Sequence, residues 1–266
     1  MFDDPTFRRA VAIMGWTAIA FLVFPVVLTI TVSFNGSMFI EFPPKSFSFA
    51  WYANIAKIHK IGEAILMSLW IATLTGVLTV AMSIPAAIAL ARHNFPGKGM
   101  LVAFLLSPVT VPMIAIGIAL LQFVVWTGLP FNWTTLLIGH IVLVSAYPVR
   151  TIVASLTLSD ISLEEAAASL GGGSWTVFRT ITLPQLTPGL ISGFLFAFLI
   201  SFDNYPISIF LARSGLTTMP IEVFNYISQN LDPTPAAFST LYIIVVSAII
   251  IFVERRFKVI SLSVRG

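Results

Sequence analysis

The 266-residue chain contains no cysteine and few charged residues. Without cysteine it can form no disulfide, thiol nucleophile or cysteine metal site. Charged residues make up only 9% of the chain, against about 25% in an ordinary soluble domain. Hydrophobic residues reach 58%, and the mean hydropathy is +0.97. A soluble core of this size could not bury so much apolar surface, so the composition indicates an integral membrane protein.

Motifs for metal binding, nucleic-acid binding and ATP hydrolysis are also missing. His59, His93 and His140 are widely scattered without the spacing of metal ligands, and His140 is expected to be a hydrogen-bonded packing residue. The net charge of +3 comes without a basic cluster interleaved with aromatic residues, so nucleic-acid binding is not indicated. No G-x-x-x-x-G-K-S/T phosphate loop is present, so we do not expect the chain to hydrolyse ATP or to act as an enzyme.

Six apolar stretches are long enough to cross a bilayer as helices, which takes about 20 residues each. They lie near residues 10–33, 63–91, 101–126, 134–158, 186–212 and 236–253. Arg8 and Arg9 precede the first stretch, as in a signal peptide, but its apolar run is too long for one and no small-x-small cleavage site follows. With no internal repeat or linker, the pattern predicts a single all-α integral membrane domain over residues 1–266 with six transmembrane helices.

Four prolines interrupt the predicted spans, at Pro85, Pro108, Pro112 and Pro148. A proline in lipid leaves a carbonyl unpaired, which a neighbouring helix or a water-filled cavity must satisfy. One interpretation is that these prolines make ordinary kinks that fit one helix against another. The other is that bends at Pro108 and Pro112 shape a central cavity.

The distribution of basic residues predicts the orientation of the chain in the membrane. With both termini cytoplasmic, nine basic residues would lie inside: Arg8, Arg9, Arg92, Lys98, Arg179, Arg255, Arg256, Lys258 and Arg265. Four would lie outside: Lys45, Lys57, Lys60 and Arg213. This bias fits the positive-inside rule, and Trp126 and Trp133 would belong to an outer aromatic belt. Both termini, and the loop at 159–185, are therefore predicted to be cytoplasmic.

The loop at 159–185 carries the signals of a short helix. Ser162 and Glu165 have the S-x-x-E spacing of a capping box, in which each side chain satisfies a backbone donor at the helix start. The alanines that follow are good helix formers, and Gly171 is placed to end the helix in a left-handed conformation. We expect a helix of about eight residues, roughly 12 Å long, with an alanine face. It is either a solvated surface helix or a docking element.

The segment EAAASLGGGSWTVFRTITLP at 165–184 resembles the EAA loop of the membrane-spanning subunits of bacterial ATP-binding-cassette importers. In that family the loop docks onto a separate ATPase. The resemblance therefore implies a coupling role for these residues: Asp160, Glu164, Glu165, Ala166, Ala167, Gly171, Leu183 and Pro184. Gly172 and Gly173 depart from the single small residue often seen after the motif glycine, and they are expected to loosen the helix end.

The resemblance to the importer permease domain extends over residues 60–255. It implies the type I ABC importer permease fold in a bacterial inner membrane. This chain would form half of the pathway, paired with a second permease that is either a similar protein or another copy. An ABC ATPase dimer would hold ATP and magnesium, a periplasmic binding protein would deliver substrate, and the chain itself would need no cofactor.

Two further segments resemble the spermidine/putrescine branch of this family. They are SFDNYPISIFL at 201–211 and TTMPIEVFNYI at 217–227. The resemblance implies that the substrate is a polyamine or a related small nitrogenous solute. The alternatives are an opine, a phosphonate or an amino-acid-like solute.

The candidate pathway residues are Phe202, Asp203, Asn204 and Tyr205. An intramembrane carboxylate is a functional hypothesis by default, and Asp203 could bind a cationic amine together with the aromatic rings beside it. Alternatively, Asp203 lies near the outer headgroups and caps a helical segment beginning at Pro206. Arg150, inside the fourth predicted span, either extends its side chain to the interface or contributes to an inner gate.

Two other functional classes would show different features in the sequence. A secondary transporter or channel would usually show intramembrane charge pairs or inverted repeats, and few ionisable groups and no repeat are visible here. An intramembrane enzyme would need clustered polar residues such as H-E-x-x-H or paired aspartates, and neither motif is present. The importer permease is therefore the favoured interpretation.

Overall fold

The computed structural model describes residues 5–213 and 215–257, and these form helices with no strand beyond two isolated bridges. Four helical segments in this part of the chain are long and apolar enough to cross a membrane. Two bent pairs of shorter helices raise the number to six when each pair is counted as one span. The prediction of an all-α integral membrane fold is confirmed.

The helices of the described residues are, in order, α1 (Pro5–Ser33), α2 (Ala50–Ile55), α3 (Ile61–Arg92), α4 (Lys98–Thr110), α5 (Met113–Thr127), α6 (Trp133–Val144), α7 (Ala146–Leu158), α8 (Ile161–Ser169), α9 (Ser174–Val177), a π-helix (Phe178–Thr182), α10 (Leu183–Phe202), α11 (Tyr205–Leu211), α12 (Met219–Gln229) and α13 (Thr234–Phe257). The first, second and sixth predicted spans fall within α1, α3 and α13.

The chain divides into two compact units. Among the described residues, the first contains 5–61 and 223–250, and the second contains 62–213, 215–222 and 251–257. The single-domain interpretation of residues 1–266 stays a prediction.

In the first unit, hydrogen bonds between side chains connect α2 to the segment around the start of α13. Asn54 Nδ2 donates to Tyr226 Oη and to Thr234 Oγ1, both at 2.9 Å. The Tyr226 hydroxyl donates to Asp232 Oδ2 at 2.7 Å. Partial burial and the hydrogen bond to Asp232 raise the pKa of Tyr226. No residue in the most apolar window of α1 is buried, as suits a helix that faces lipid or another subunit.

The third predicted span, 101–126, is not one straight helix: α4 and α5 meet at an angle of 104°. Pro112 disfavours helical backbone at the residue before it, and Val111 is extended, with φ −86° and ψ 136°. Pro108 causes no such break and lies inside α4. The prediction of a bend is therefore correct at Pro112, and the bent pair of α4 and α5 passes the test for a membrane span when it is counted as one.

The fourth predicted span, 134–158, is also broken, by 43° between α6 and α7. Pro148 has no N–H to donate to the carbonyl of Val144, where α6 ends. At the other end of α6, Asn132 Oδ1 accepts the backbone N–H groups of Thr134 and Thr135, each at 3.0 Å. This side-chain cap sets the start of the span.

The fifth predicted span, 186–212, starts too late and ends too late. The continuous helical segment runs over Ser174–Phe202 and includes the π-helix. Pro184 cannot donate to the carbonyl four residues back, and the adjacent Leu183 N–H bonds five residues back, to Phe178. The segment ends at Phe202, and a two-residue break precedes α11.

Two apolar clusters fill the second unit. The larger one joins α3, α5, α6, α10 and α11 and includes Ile71, Leu136 and Ile207. The smaller one joins α3, α7 and α10 and includes Ile152 and Leu186. Together they hold α10 against the helices that precede the loop at 159–185.

Helices α10 and α7 approach each other closely at two glycines with G-x-x-x-G spacing. A Cβ on Gly189 would lie 2.7 Å from Ser155 Cβ and 2.8 Å from the Thr151 carbonyl oxygen. A Cβ on Gly193 would lie 3.0 Å from Pro148 Cα. Small residues with this spacing let two membrane helices approach closely. The G-x-x-x-G spacing is visible in the sequence but was not among the predicted features.

Candidate functional site

The start of α8 is capped by a residue that the sequence analysis assigned to another role. Asp160 has extended backbone, and its Oδ1 accepts the N–H of Ser162 at 2.9 Å. Hydrogen bonds from the Ser162 side chain and backbone lower the pKa of Asp160. The predicted capping box is wrong, because Ser162 already lies inside α8 and Asp160 is the N-cap.

The end of α8 is closed by two glycines in a Schellman motif. Gly171, with φ +89°, donates its N–H to the Ala168 carbonyl at 2.9 Å, and Gly172 donates to the Ala167 carbonyl at 3.0 Å. The predicted left-handed conformation of Gly171 is confirmed. A Cβ on Gly172 would lie only 2.7 Å from the Ala167 oxygen. The second glycine therefore allows a tight turn, where the sequence analysis expected it to loosen the helix end.

Large apolar side chains are exposed along α8 and α9. Leu163 is 51% exposed, Leu170 90% and Trp175 71%. Trp175 stacks on Phe178 with 5.5 Å between ring centroids. Ala166 and the motif residue Glu165 are exposed on the same loop, and Ala167 is half-buried. Several large apolar side chains exposed on one loop beside polar residues make this loop a candidate protein interaction site.

The two adjacent glutamates of α8 have different environments. Glu165 is exposed, whereas the Glu164 side chain is only 20% exposed and its Oε1 lies 3.0 Å from Arg92 Nη2. The same guanidinium nitrogen lies 2.8 Å from Ser159 Oγ. Arg92, at the end of α3, was not among the predicted site residues, because it lies 72 residues from Glu164 in the sequence.

A cavity of about 410 Å³ opens beside α8, between the ends of α3 and α7, α9 and the π-helix. Arg92, Glu164, Glu165 and Phe178 are among its lining residues. Leu183 and Pro184 do not line it; they begin α10, where Leu183 is half-buried and Pro184 is exposed. The structure thus brings six of the eight predicted coupling residues onto one short helix and its two ends, and it places these two at the start of the membrane helix.

The predicted pathway residues lie at the break between α10 and α11. Phe202 ends α10, Asp203 follows it with an exposed side chain, and Tyr205 begins α11. The buried Asn204 caps α11, because its Oδ1 accepts the N–H of Ile207 at 2.8 Å. The hypothesis that Asp203 caps a segment beginning at Pro206 is therefore wrong by one residue.

A row of stacked aromatic rings on α10 leads to this break. Phe194 and Phe198 have ring centroids 6.0 Å apart, and Phe198 and Phe202 have them 5.9 Å apart. The row runs from Phe194 to Phe202, eight helical steps or about 12 Å. It was not among the predicted features, although phenylalanines spaced four residues apart are visible in the sequence.

Two further polar residues, His140 and Arg150, lie within the spans. His140 is buried in α6, where Nδ1 lies 2.7 Å from Ser201 Oγ and Nε2 lies 3.2 Å from Ser208 Oγ. Its prediction as a hydrogen-bonded packing residue is confirmed, and the described residues contain no group of three metal-ligating side chains. Arg150 is exposed on α7.

Comparison with known proteins gives one family. The model for "Binding-protein-dependent transport system inner membrane component" matches residues 83–259, which is more than half of the chain. The spermidine/putrescine transport system permease protein PotC of Haemophilus influenzae is 28% identical over 232 residues, covering 87% of this chain and 90% of the relative. The putrescine transport system permease protein PotI of Escherichia coli is 30% identical over 241 residues, covering 88% and 84%.

Other matches differ in what they transport. The molybdenum transport system permease protein ModB of Haemophilus influenzae is 31% identical over 203 residues, covering 70% of this chain and 89% of the relative. A chain in the crystal structure of a bacterial ABC transporter that imports the acidic polysaccharide alginate superposes with a TM-score of 0.68. It is 18% identical and covers 97% of this chain and 98% of its own length, so it supports the fold alone.

Proposed function

Since the chain belongs to the family of binding-protein-dependent transport system inner membrane components, we propose that it forms half of the translocation pathway of an ATP-driven importer. The other half is a second permease subunit. A periplasmic binding protein delivers the solute, and an ABC ATPase dimer binds ATP and magnesium. This chain contributes no cofactor of its own.

In this proposal α8 docks onto the ATPase. The observation that carries the assignment is the surface of α8 and α9, where Leu163, Leu170 and Trp175 are exposed beside Glu165. The cap at Asp160 and the Schellman motif at Gly171 fix both ends of the helix, so it can transmit a push without unravelling. An alanine such as Ala166 on the exposed side allows a partner to approach closely.

The proposed orientation places both termini and the α8 loop in the cytoplasm, where ATP is. The support is the nine-to-four distribution of basic residues, which includes Arg92, Lys98 and Arg179 on the inner side. Lys258 and Arg265, which also count toward it, lie outside the described residues. The chain is then a multi-pass protein of the inner membrane with its α8 surface turned to the ATPase.

For the substrate, we propose a polyamine or a related cationic solute. The support is the position of the Asp203 carboxylate at the end of the ring row of Phe194, Phe198 and Phe202. A carboxylate and aromatic faces both attract ammonium groups. The names of the spermidine/putrescine and putrescine permeases point the same way. The alternatives remain an opine, a phosphonate or an amino-acid-like solute, because relatives of similar identity also include a molybdenum permease and family membership alone does not select the solute.

The experiment that tests the proposal is uptake into proteoliposomes that contain this chain with its cognate permease, ATPase and binding protein. Putrescine and spermidine should accumulate only with ATP inside the compartment that faces the ATPase, and only with the binding protein present. Uptake of either amine by the permeases alone, driven by an ion gradient, would assign the chain to a secondary transporter.

A further inference from the structure

The link between α8 and the membrane helices is polar. Arg92 is the last residue of α3, and Glu164 lies in the first turn of α8. Their side chains are 16% and 20% exposed, and the Nη2–Oε1 distance is 3.0 Å. Water screens such a pair much less than a fully exposed one. The contact therefore connects two elements that lie 72 residues apart in sequence.

A second contact brings α7 into the same link. Arg92 Nη2 also lies 2.8 Å from Ser159 Oγ, and Ser159 is the C-cap of α7. The Ser159 hydroxyl in turn donates to the Leu156 carbonyl at 2.7 Å, inside the last turn of α7. One guanidinium thus joins the ends of α3 and α7 to the first turn of α8.

No residue of α8 is buried, so apolar packing holds this helix only weakly. Its N-terminal cap and its Schellman motif fix the shape of the helix but not its position against α3. Loss of either member of the pair would also leave a partly buried charge without its partner, which is unfavourable. The Arg92–Glu164 pair is therefore the side-chain contact best placed to fix the position of α8.

We propose that Arg92 and Glu164 are positioning residues, which hold α8 at a fixed place against α3 and α7 so that movement of the ATPase reaches the membrane helices. The inference rests on the proposed coupling function of α8. It assigns Glu164 to a contact within the chain instead of to the surface that meets the ATPase. The exposed Glu165 is left to face the ATPase.

Spin-label distances test the positioning without the ATPase. Because the chain has no cysteine, His93→Cys and Ser169→Cys place one label on the exposed residue after α3 and one at the exposed end of α8 without background labelling. The distance distribution should be narrow in the parent, broad in Arg92→Glu and in Glu164→Arg, and narrow again in the charge-swapped double variant. Equal widths in all four proteins would overturn the inference.

Transport coupling provides the functional readout in the complete reconstituted complex. The amount of solute imported per ATP hydrolysed should fall by about three- to ten-fold in each single variant, between the effects of exposed and buried ion pairs, and most of it should return in the swap. Arg255→Gln, which removes an exposed arginine from the end of α13, is the matched control and should leave the ratio unchanged.

The two experiments separate this inference from the proposed function beneath it. In both single variants, a broad distance distribution with an unchanged amount of solute imported per ATP hydrolysed would support the positioning contact but contradict its role in coupling. Unchanged distances with a reduced ratio would instead show that Arg92 or Glu164 acts directly on the ATPase. If the complex imports solute normally without an ATPase that binds α8, the proposed function itself fails.

Discussion

The close contact between α10 and α7 predicts opposite effects for two glycine-to-alanine substitutions. A Cβ on Gly189 would lie 2.7 Å from Ser155 Cβ, about 0.8 Å closer than the separation at which two carbons attract. Both atoms are held by rigid helix, so the added methyl group must push α10 and α7 apart. Overpacking of this kind costs about 1–3 kcal/mol. Gly62→Ala, in α3, adds the same group where nothing lies within 4 Å, and should stabilise the helix by up to about 1 kcal/mol.

The assay is thermal unfolding of the purified protein in detergent, with the three proteins measured in parallel. At about 2–4 °C per kcal/mol for a chain of this size class, Gly189→Ala should lower the unfolding midpoint by roughly 2–12 °C. Gly62→Ala should leave the midpoint unchanged or raise it by a few degrees. If Gly189→Ala is as stable as Gly62→Ala, the close packing of these two helices is not what holds α10 in place.

Three further predictions concern polar residues. Asp203→Asn should reduce amine uptake by a few-fold to several-hundred-fold, with ATPase binding retained. This range is expected for a charge contact in a medium whose dielectric constant lies between that of water and about 20. Near-normal uptake would contradict a contact between Asp203 and the substrate. Asn204→Ala should lower thermal stability by about 1 kcal/mol through loss of the α11 cap, whereas Asn204→Asp should retain most of it. His140→Leu should lower the unfolding midpoint, because it leaves the Ser201 and Ser208 hydroxyls buried without this partner. An unchanged midpoint would show that both hydroxyls form hydrogen bonds with other groups.

The spans illustrate what the sequence could predict about the fold. Apolar length alone located α1, α3 and α13, since each is one continuous helix. It could not distinguish a kink from a break at Pro112 or Pro148, because both give the same apolar run. The outcome depends on the backbone at the neighbouring residue, such as the extended Val111, which tertiary packing selects.

The candidate site shows the same division between local and tertiary information. Gly171 was predicted from its position after the alanines, and a local motif with a left-handed residue needs no distant contact. The start of α8 was predicted at Ser162, and the cap of α11 at Asp203. Each lies within two residues of the observed cap, because several adjacent polar residues can cap equally well. The Arg92–Glu164 pair joins residues far apart in sequence, so no local pattern could indicate it.

Docking of α8 onto an ATPase is tested most directly by measuring how the cognate ATPase binds to the reconstituted permease pair. Glu165→Lys reverses an exposed charge on α8, and Gly171→Glu adds a bulky acidic side chain where φ is +89° and the Schellman motif closes the helix. Glu63→Lys, an equal charge reversal at the exposed start of α3, is the control.

Glu165→Lys and Gly171→Glu should weaken ATPase binding at least several-fold and reduce solute-stimulated ATP hydrolysis in parallel. The control should bind the ATPase with the affinity of the parent. Parent-like ATPase affinity in both α8 variants, with normal amounts of folded protein in the membrane, would contradict the claim.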